Sequence, residues 1–189
     1  MRPTLIALAT AATFAAASAS AAPATAIAVY NANITQDEVQ AAMNGWCKAL
    51  VAISTTGRKE GREAAAALAG RVLDDAYGYN LGPVLFKPTL TEVPQTFRTT
   101  RDGALAYFVG GNPAFPNDTG FALKPWAACE VQKVAMLING DVATTMGNVM
   151  ITGTDGKVTT VDKTWQFKKT DDGKLRIVLH HSSLPFSAD

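Results

Sequence analysis

Three dipeptides, Asn139-Gly140, Asp155-Gly156 and Asp172-Gly173, each sit between runs rich in Val, Ile, Thr, Phe and Trp. Such pairs tolerate the positive φ angles of a tight hairpin turn, so each predicts one antiparallel reversal. Together they define a four-stranded meander from about Ala122 to Leu184, its strands about ten residues or longer. Strands of that length twist and curl rather than lie flat. Shorter strands are expected around Val84–Phe86, Phe97–Thr99 and Ala104–Val109, separated by Pro88, Pro94 and the loop Gly110-Gly111-Asn112-Pro113.

Before Asn80 the pattern is helical. Thr35-Gln36-Asp37-Glu38 reads as a capping box, in which the Thr hydroxyl and the Glu carboxylate satisfy free N–H groups of the first turn. Val39, Met43, Trp46, Cys47, Leu50 and Val51 then recur at helical spacing, and Gly57 is read as the stop. A second helix is predicted from about Lys59 to Ala76, with Leu68, Val72 and Leu73 on its inner face. Helices followed by a long antiparallel sheet is the α+β order. N-terminal helices packed on a strongly curved antiparallel sheet make a cone with an internal pocket, similar to the nuclear transport factor 2-like architecture. One domain, residues 35–189, is expected to carry it.

The start of the chain stands apart. Met1-Arg2, an apolar stretch from about Leu5 to Ala17 and the small residues around Ala19-Ser20-Ala21 form a secretory signal-peptide pattern, residues 1–21. The stretch is shorter than a spanning helix needs. Residues 22–34 are Ala-rich without period and read as a flexible mature N-terminus. The expected location is therefore periplasmic or secreted, with no membrane contact after cleavage. Lys and Arg number 17 against 16 Asp and Glu, a formal +1 that gives no field to attract nucleic acid or an anionic membrane. Export permits a disulfide between Cys47 and Cys129, but both lie amid apolar neighbours, and two buried free thiols are the favoured reading.

Catalytic residue types are scarce. The two histidines, His180 and His181, are adjacent in the last predicted strand, where successive side chains point to opposite faces. Without a bulge they cannot grip one metal ion, and no H-x-x-x-H, C-x-x-C or clustered carboxylates supply further ligands. No cofactor is expected. Unbroken alternation places His181 with Leu175, Ile177 and Leu179, and His180 with Ser182; a bulge inverts which histidine faces the interior.

Leu179-His180-His181-Ser182-Ser183-Leu184-Pro185-Phe186 resembles the terminal motif of the iota-class carbonic anhydrases, a family with the cone fold. Further landmarks of that family stand in the same order: Lys87-Pro88-Thr89-Leu90, Phe97-Arg98-Thr99, Ala106-Tyr107-Phe108-Val109-Gly110, Gly120-Phe121-Ala122, Trp126, Ala143 to Asn148, and Lys174-Leu175-Arg176-Ile177. The resemblance implies reversible hydration of carbon dioxide to bicarbonate, without metal, in a pocket lined by three hydroxyls. Carried over by position, these are Thr89, Tyr107 and Ser182. Each residue type also has an ordinary structural use: a turn cap, a core ring, a backbone bond. Leu179 stands where some family descriptions place a first histidine of three, which weakens a metal site built on a triplet.

Three hydroxyls can orient water and donate to bicarbonate, but none is a base near neutral pH. A histidine is the natural relay, His180 first because it shares the Ser182 parity, with His181 as the second candidate. A homodimer is expected through the outer sheet face, with Trp165 and Phe167 at that interface or in the core. A non-enzymatic ligand-binding or assembly module of the same fold is the alternative reading.

Overall fold

The computed structural model describes residues 31–188, so the expected signal peptide and most of the expected flexible N-terminus lie outside the described residues. Helix α1 (Gln36–Glu60) starts at the expected capping box: the Glu38 N–H donates to Thr35 Oγ1 at 3.3 Å, and the Thr35 N–H to the Glu38 carboxylate at 2.8 Å. Its stripe of Val39, Met43, Trp46, Cys47, Leu50 and Ile53 is buried. Ile34, expected to be flexible, is also buried and donates its N–H to Gly140 O at 2.8 Å.

Gly57 does not end the helix. A Cβ there would lie 2.9 Å from Leu123 Cδ2, so the glycine makes room for the single 3-10 turn at Phe121–Leu123. The break falls instead at Gly61, whose φ of 91° favours glycine. Helix α2 (Arg62–Ala76) follows at once.

Strand β1 (Leu85–Lys87) comes next, then α3 (Arg101–Val109), then the long strands β2 (Trp126–Asn139), β3 (Val142–Gly153), β4 (Val158–Lys169) and β5 (Leu175–Ser183). The meander is as expected, with sheet order β1-β5-β4-β3-β2 and all pairs among β2 to β5 antiparallel. β1 is the exception. It runs parallel to β5, with Lys87 opposite His181, so the sheet is mixed.

Two short strands of the sequence reading are corrected. Phe97–Thr99 is irregular, and Ala104–Val109 belongs to α3, which Thr100 caps by accepting the Gly103 N–H at 3.2 Å. Six consecutive apolar residues carry no period, and α3 buries Ala104, Ala106, Tyr107, Phe108 and Val109 around its circumference. The favoured free thiols are also corrected: Cys47 and Cys129 form a disulfide joining α1 to β2 across 82 positions.

On β4, Val161, Lys163, Trp165 and Phe167 alternate inward, so Trp165 and Phe167 are core residues. On β5 the pairing skips Val178, since Gln166 faces Leu179 while Phe167 faces Ile177. That extra residue is a bulge, and beyond it His180 and Ser182 point inward together.

Candidate active site

The parallel β1·β5 pairing decides where the site forms. Pro88 follows β1, and the next residue, Thr89, emerges beside the end of β5. Its Oγ1 lies 2.6 Å from Ser182 Oγ. Tyr107 reaches the same place from α3, its hydroxyl accepting the N–H of Leu90, the residue after Thr89, at 3.4 Å. The three hydroxyls implied by the resemblance therefore meet, although they come from a loop, a helix and a strand.

Their walls are aromatic. The Tyr107 ring lies 5.8 Å from Phe86, 5.6 Å from Phe108 and 5.4 Å from Phe121, measured between centroids. Burial, opposed by the neighbouring Leu90 and Thr89 groups, raises the phenol well above its ordinary pKa, so it stays a donor. A cleft of about 440 Å³, lined in part by Leu90, Glu92, Asp118 and Lys124, reaches this ring from outside. Arg98 anchors the cleft edge, clasping Asp118 with two 2.8 Å bonds and donating to Gln95 O and Phe97 O. Both partners of that ion pair are buried.

Behind the hydroxyls stands a group that the sequence reading missed. Lys163 lies opposite Ser182 in the β4·β5 register, and its Nζ is 3.2 Å from Ser182 Oγ and 2.7 Å from His180 Nε2. His180 Nδ1 in turn lies 2.9 Å from the Tyr77 hydroxyl, which accepts the Trp46 indole N–H at 3.0 Å. Lys163 is only 3% exposed, and Nζ sits 4.1 Å above the Trp46 ring and 5.4 Å from that of Trp165. Among the described residues no carboxylate pairs with it, and desolvation pushes its pKa far below the lysine range. The signal was available: a lysine at inward parity between Val161 and Trp165.

His180 is inward because the β5 bulge inverts the parity that would have put His181 there, and it is stacked on Phe86 at 4.5 Å. Burial first, then the charges of Lys163 and His181, lowers its pKa well below the usual imidazole value. It contacts Lys163 rather than a hydroxyl of the trio. His181 is exposed on the opposite face of β5, apart from the cluster. Lys87 adds a bond from Nζ to Ser182 O at 3.3 Å. Among the described residues, no three His, Cys, Asp or Glu side chains are grouped to hold a metal ion.

The arrangement offers donors and acceptors for a small oxyanion, apolar walls for a neutral gas, and a buried amine beside them. The chain's relatives fit that chemistry. A curated metal-independent carbonic anhydrase of Nostoc sp. strain PCC 7120 is 62% identical over 158 residues, which is 84% of this chain and 77% of the relative. A crystal structure of a cyanobacterial iota-carbonic anhydrase complexed with bicarbonate superposes with a TM-score of 0.84 at 60% identity, covering 87% of this chain and all of that one. An NTF2-like protein of unknown function from Pseudomonas putida, 12% identical over 82% of this chain and 89% of its own, reaches 0.50 and reflects the fold alone. The model of the metal-independent carbonic anhydrase family matches residues 37–184. By that match and that identity, this chain belongs to the metal-independent carbonic anhydrase family.

Proposed function

We propose that this protein reversibly hydrates carbon dioxide to bicarbonate, without metal, at the cluster of Thr89, Tyr107 and Ser182. The observation that carries the assignment is the 2.6 Å contact between Thr89 and Ser182 beside the Tyr107 hydroxyl, inside an aromatic pocket. Carbon dioxide is apolar and suits rings; its hydration places negative charge on oxygen and needs donors already in place. Tyr107 and Thr89 supply such donors, while Ser182 holds the water for attack. The bicarbonate held by the crystallised relative is the product this geometry would release.

Stopped-flow hydration assays test the reading. The purified protein hydrates carbon dioxide equally well before and after exhaustive chelation. Tyr107→Phe and Ser182→Ala each lower turnover by about 10²-fold or more, the scale of one lost oxyanion donor. Either variant keeping near-native turnover with an intact circular dichroism spectrum refutes the site. Two further features belong to the proposal. Export to the periplasm or medium is supported by the Ala19-Ser20-Ala21 pattern and by the Cys47–Cys129 bridge, which persists in oxidising compartments. A homodimer through the outer sheet face is supported by Leu137 and Met146, 72% and 65% exposed. The mass of the mature N-terminal peptide tests the first, light scattering the second.

A further inference from the structure

The hydroxyl cluster lacks a proton acceptor, and the chain of contacts behind it supplies one. We infer that Lys163 takes up the proton released by hydration, drawing it through the Ser182 hydroxyl. The inference rests on the carbon dioxide reading and names the base that reading leaves open.

Proton positions follow from the donors. The Trp46 indole can only donate, so the Tyr77 oxygen accepts from it, and Tyr77 must place its own proton elsewhere. Its remaining side-chain partner is His180 Nδ1, at 2.9 Å. Nδ1 therefore accepts, and the neutral ring carries its proton on Nε2, directed at Lys163 Nζ 2.7 Å away. An ammonium has no lone pair to receive that proton, whereas an amine has one. Resting Lys163 is then an amine, receiving from His180 and donating toward Ser182 Oγ at 3.2 Å.

The reverse arrangement is worse on two counts. An ammonium donating to Nε2 puts the ring proton on Nδ1 and strands the Tyr77 proton in the interior without an acceptor. It also buries a charge without a counter-ion, a desolvation penalty that two indole faces do not offset. Among the described residues, His180 from β5 is the titratable group that touches Lys163, with Tyr77 from the end of α2 behind it; Lys87 from β1 bonds to the Ser182 carbonyl, Tyr107 from α3 bonds to the Leu90 N–H, and α1 lays the Trp46 ring against the amine. Asp118, the carboxylate whose charge acts on Tyr107, is already held by Arg98.

In the forward step the water oxygen bonds to the carbon of carbon dioxide, and one C=O π pair moves onto oxygen. The water proton passes to Ser182 Oγ as the Ser182 proton passes to Lys163 Nζ, rotation about the Cε–Nζ bond having turned the lone pair from His180 to Ser182. The products are bicarbonate and a Lys163 ammonium facing the Nε2–H, an unfavourable opposition that keeps the ammonium acidic. After bicarbonate leaves, that proton returns through Ser182 to a buffer base in the cleft. Lys163 acts through Ser182, so its test must read more than lost activity.

The full mature chain labelled with ¹⁵N-lysine gives the first readout. Lys163 Nζ shows a neutral-amine resonance at alkaline pH and converts to ammonium in step with the fall of kcat/KM on acidification. An ammonium at every pH between about 6 and 9, the range in which a useful base must titrate, overturns the inference in wild-type protein. Lys163→Met lowers hydration by about 10²-fold or more and abolishes the acid limb of the pH profile. Lys163→Ala is rescued by small primary amines, more strongly by the more basic ones. Lys163→Met retaining near-native hydration, or rescue indifferent to amine basicity, refutes it. A wild-type protein that hydrates no carbon dioxide removes the functional reading and this one together; an active wild type failing the lysine tests removes this one alone.

Discussion

Removing the Cys47–Cys129 bridge, by Cys47→Ala with Cys129→Ala, perturbs stability by an amount the chain itself sets. The bridge closes a loop across 82 positions, and loop closure of that length removes about 15 cal/mol/K from the unfolded ensemble, about 4.5 kcal/mol at 25 °C. Domains of this kind are stable by about 5–15 kcal/mol in total, so the loss is a large fraction. Native bridges deliver about 2–5 kcal/mol in practice, and that is the expected drop. Urea titration of three species separates the contributions: oxidised wild type, wild type reduced by a thiol, and the double-alanine variant. The first two differ by the cross-link alone, while the third adds the packing of two sulfur atoms, Cys47 being buried on the inner face of α1. The slope with denaturant should steepen when the bridge is lost, because the unfolded chain expands. A reduced protein within about 1 kcal/mol of the oxidised one refutes the loop argument and shows that α1 is held on β2 by packing.

Asp118→Ala leaves the Arg98 guanidinium buried without its carboxylate, and the expected loss is about 3–5 kcal/mol by chemical denaturation; a change below about 1 kcal/mol contradicts it. Acidification is the other test. The Lys169 bond, with the Thr35 contacts, lowers the Glu38 pKa, and bonds from Thr170, the Lys174 backbone and Arg176 hold Asp172 at about 2. Both folded-state values lie below the unfolded ones, so the stabilisation is complete above the ordinary carboxylate range and is lost as pH falls through the folded values. Urea midpoints should decline from about pH 4.5 downward, and a flat series refutes the linkage.

The hairpins were legible because Asn-Gly and Asp-Gly pairs act locally, within four residues of backbone. The same locality misled at Ala104–Val109. An unbroken apolar run says only that a segment is buried, and the cap at Thr100 is what makes it helical. The bridge was not legible, since nothing local brings α1 against β2. Thr89, Tyr107 and Ser182 were found through motif order, whereas their convergence depends on a parallel β1·β5 pair that no turn signal announces. Parity arguments also split. The Val178 bulge is invisible in sequence and turns Ile177 and His180 to one side. Lys163, by contrast, lay in plain alternation with Val161, Trp165 and Phe167, and escaped notice because lysines are usually exposed.

The parallel pairing has a consequence for biogenesis. A chain emerging N-terminus first exposes α1, α2, the β1 segment and α3, hence Thr89 and Tyr107, long before β5, the strand that pairs with β1, exists. Thr89 and its partner Ser182 are separated by 93 positions, and β5 is the last regular element to be made. No chain that stops before β5 can hold an assembled centre, however complete its helices. Contacts so distant in sequence also close slowly. Helical signal will therefore return early in a refolding experiment, while turnover waits for one three-residue strand to find the final one.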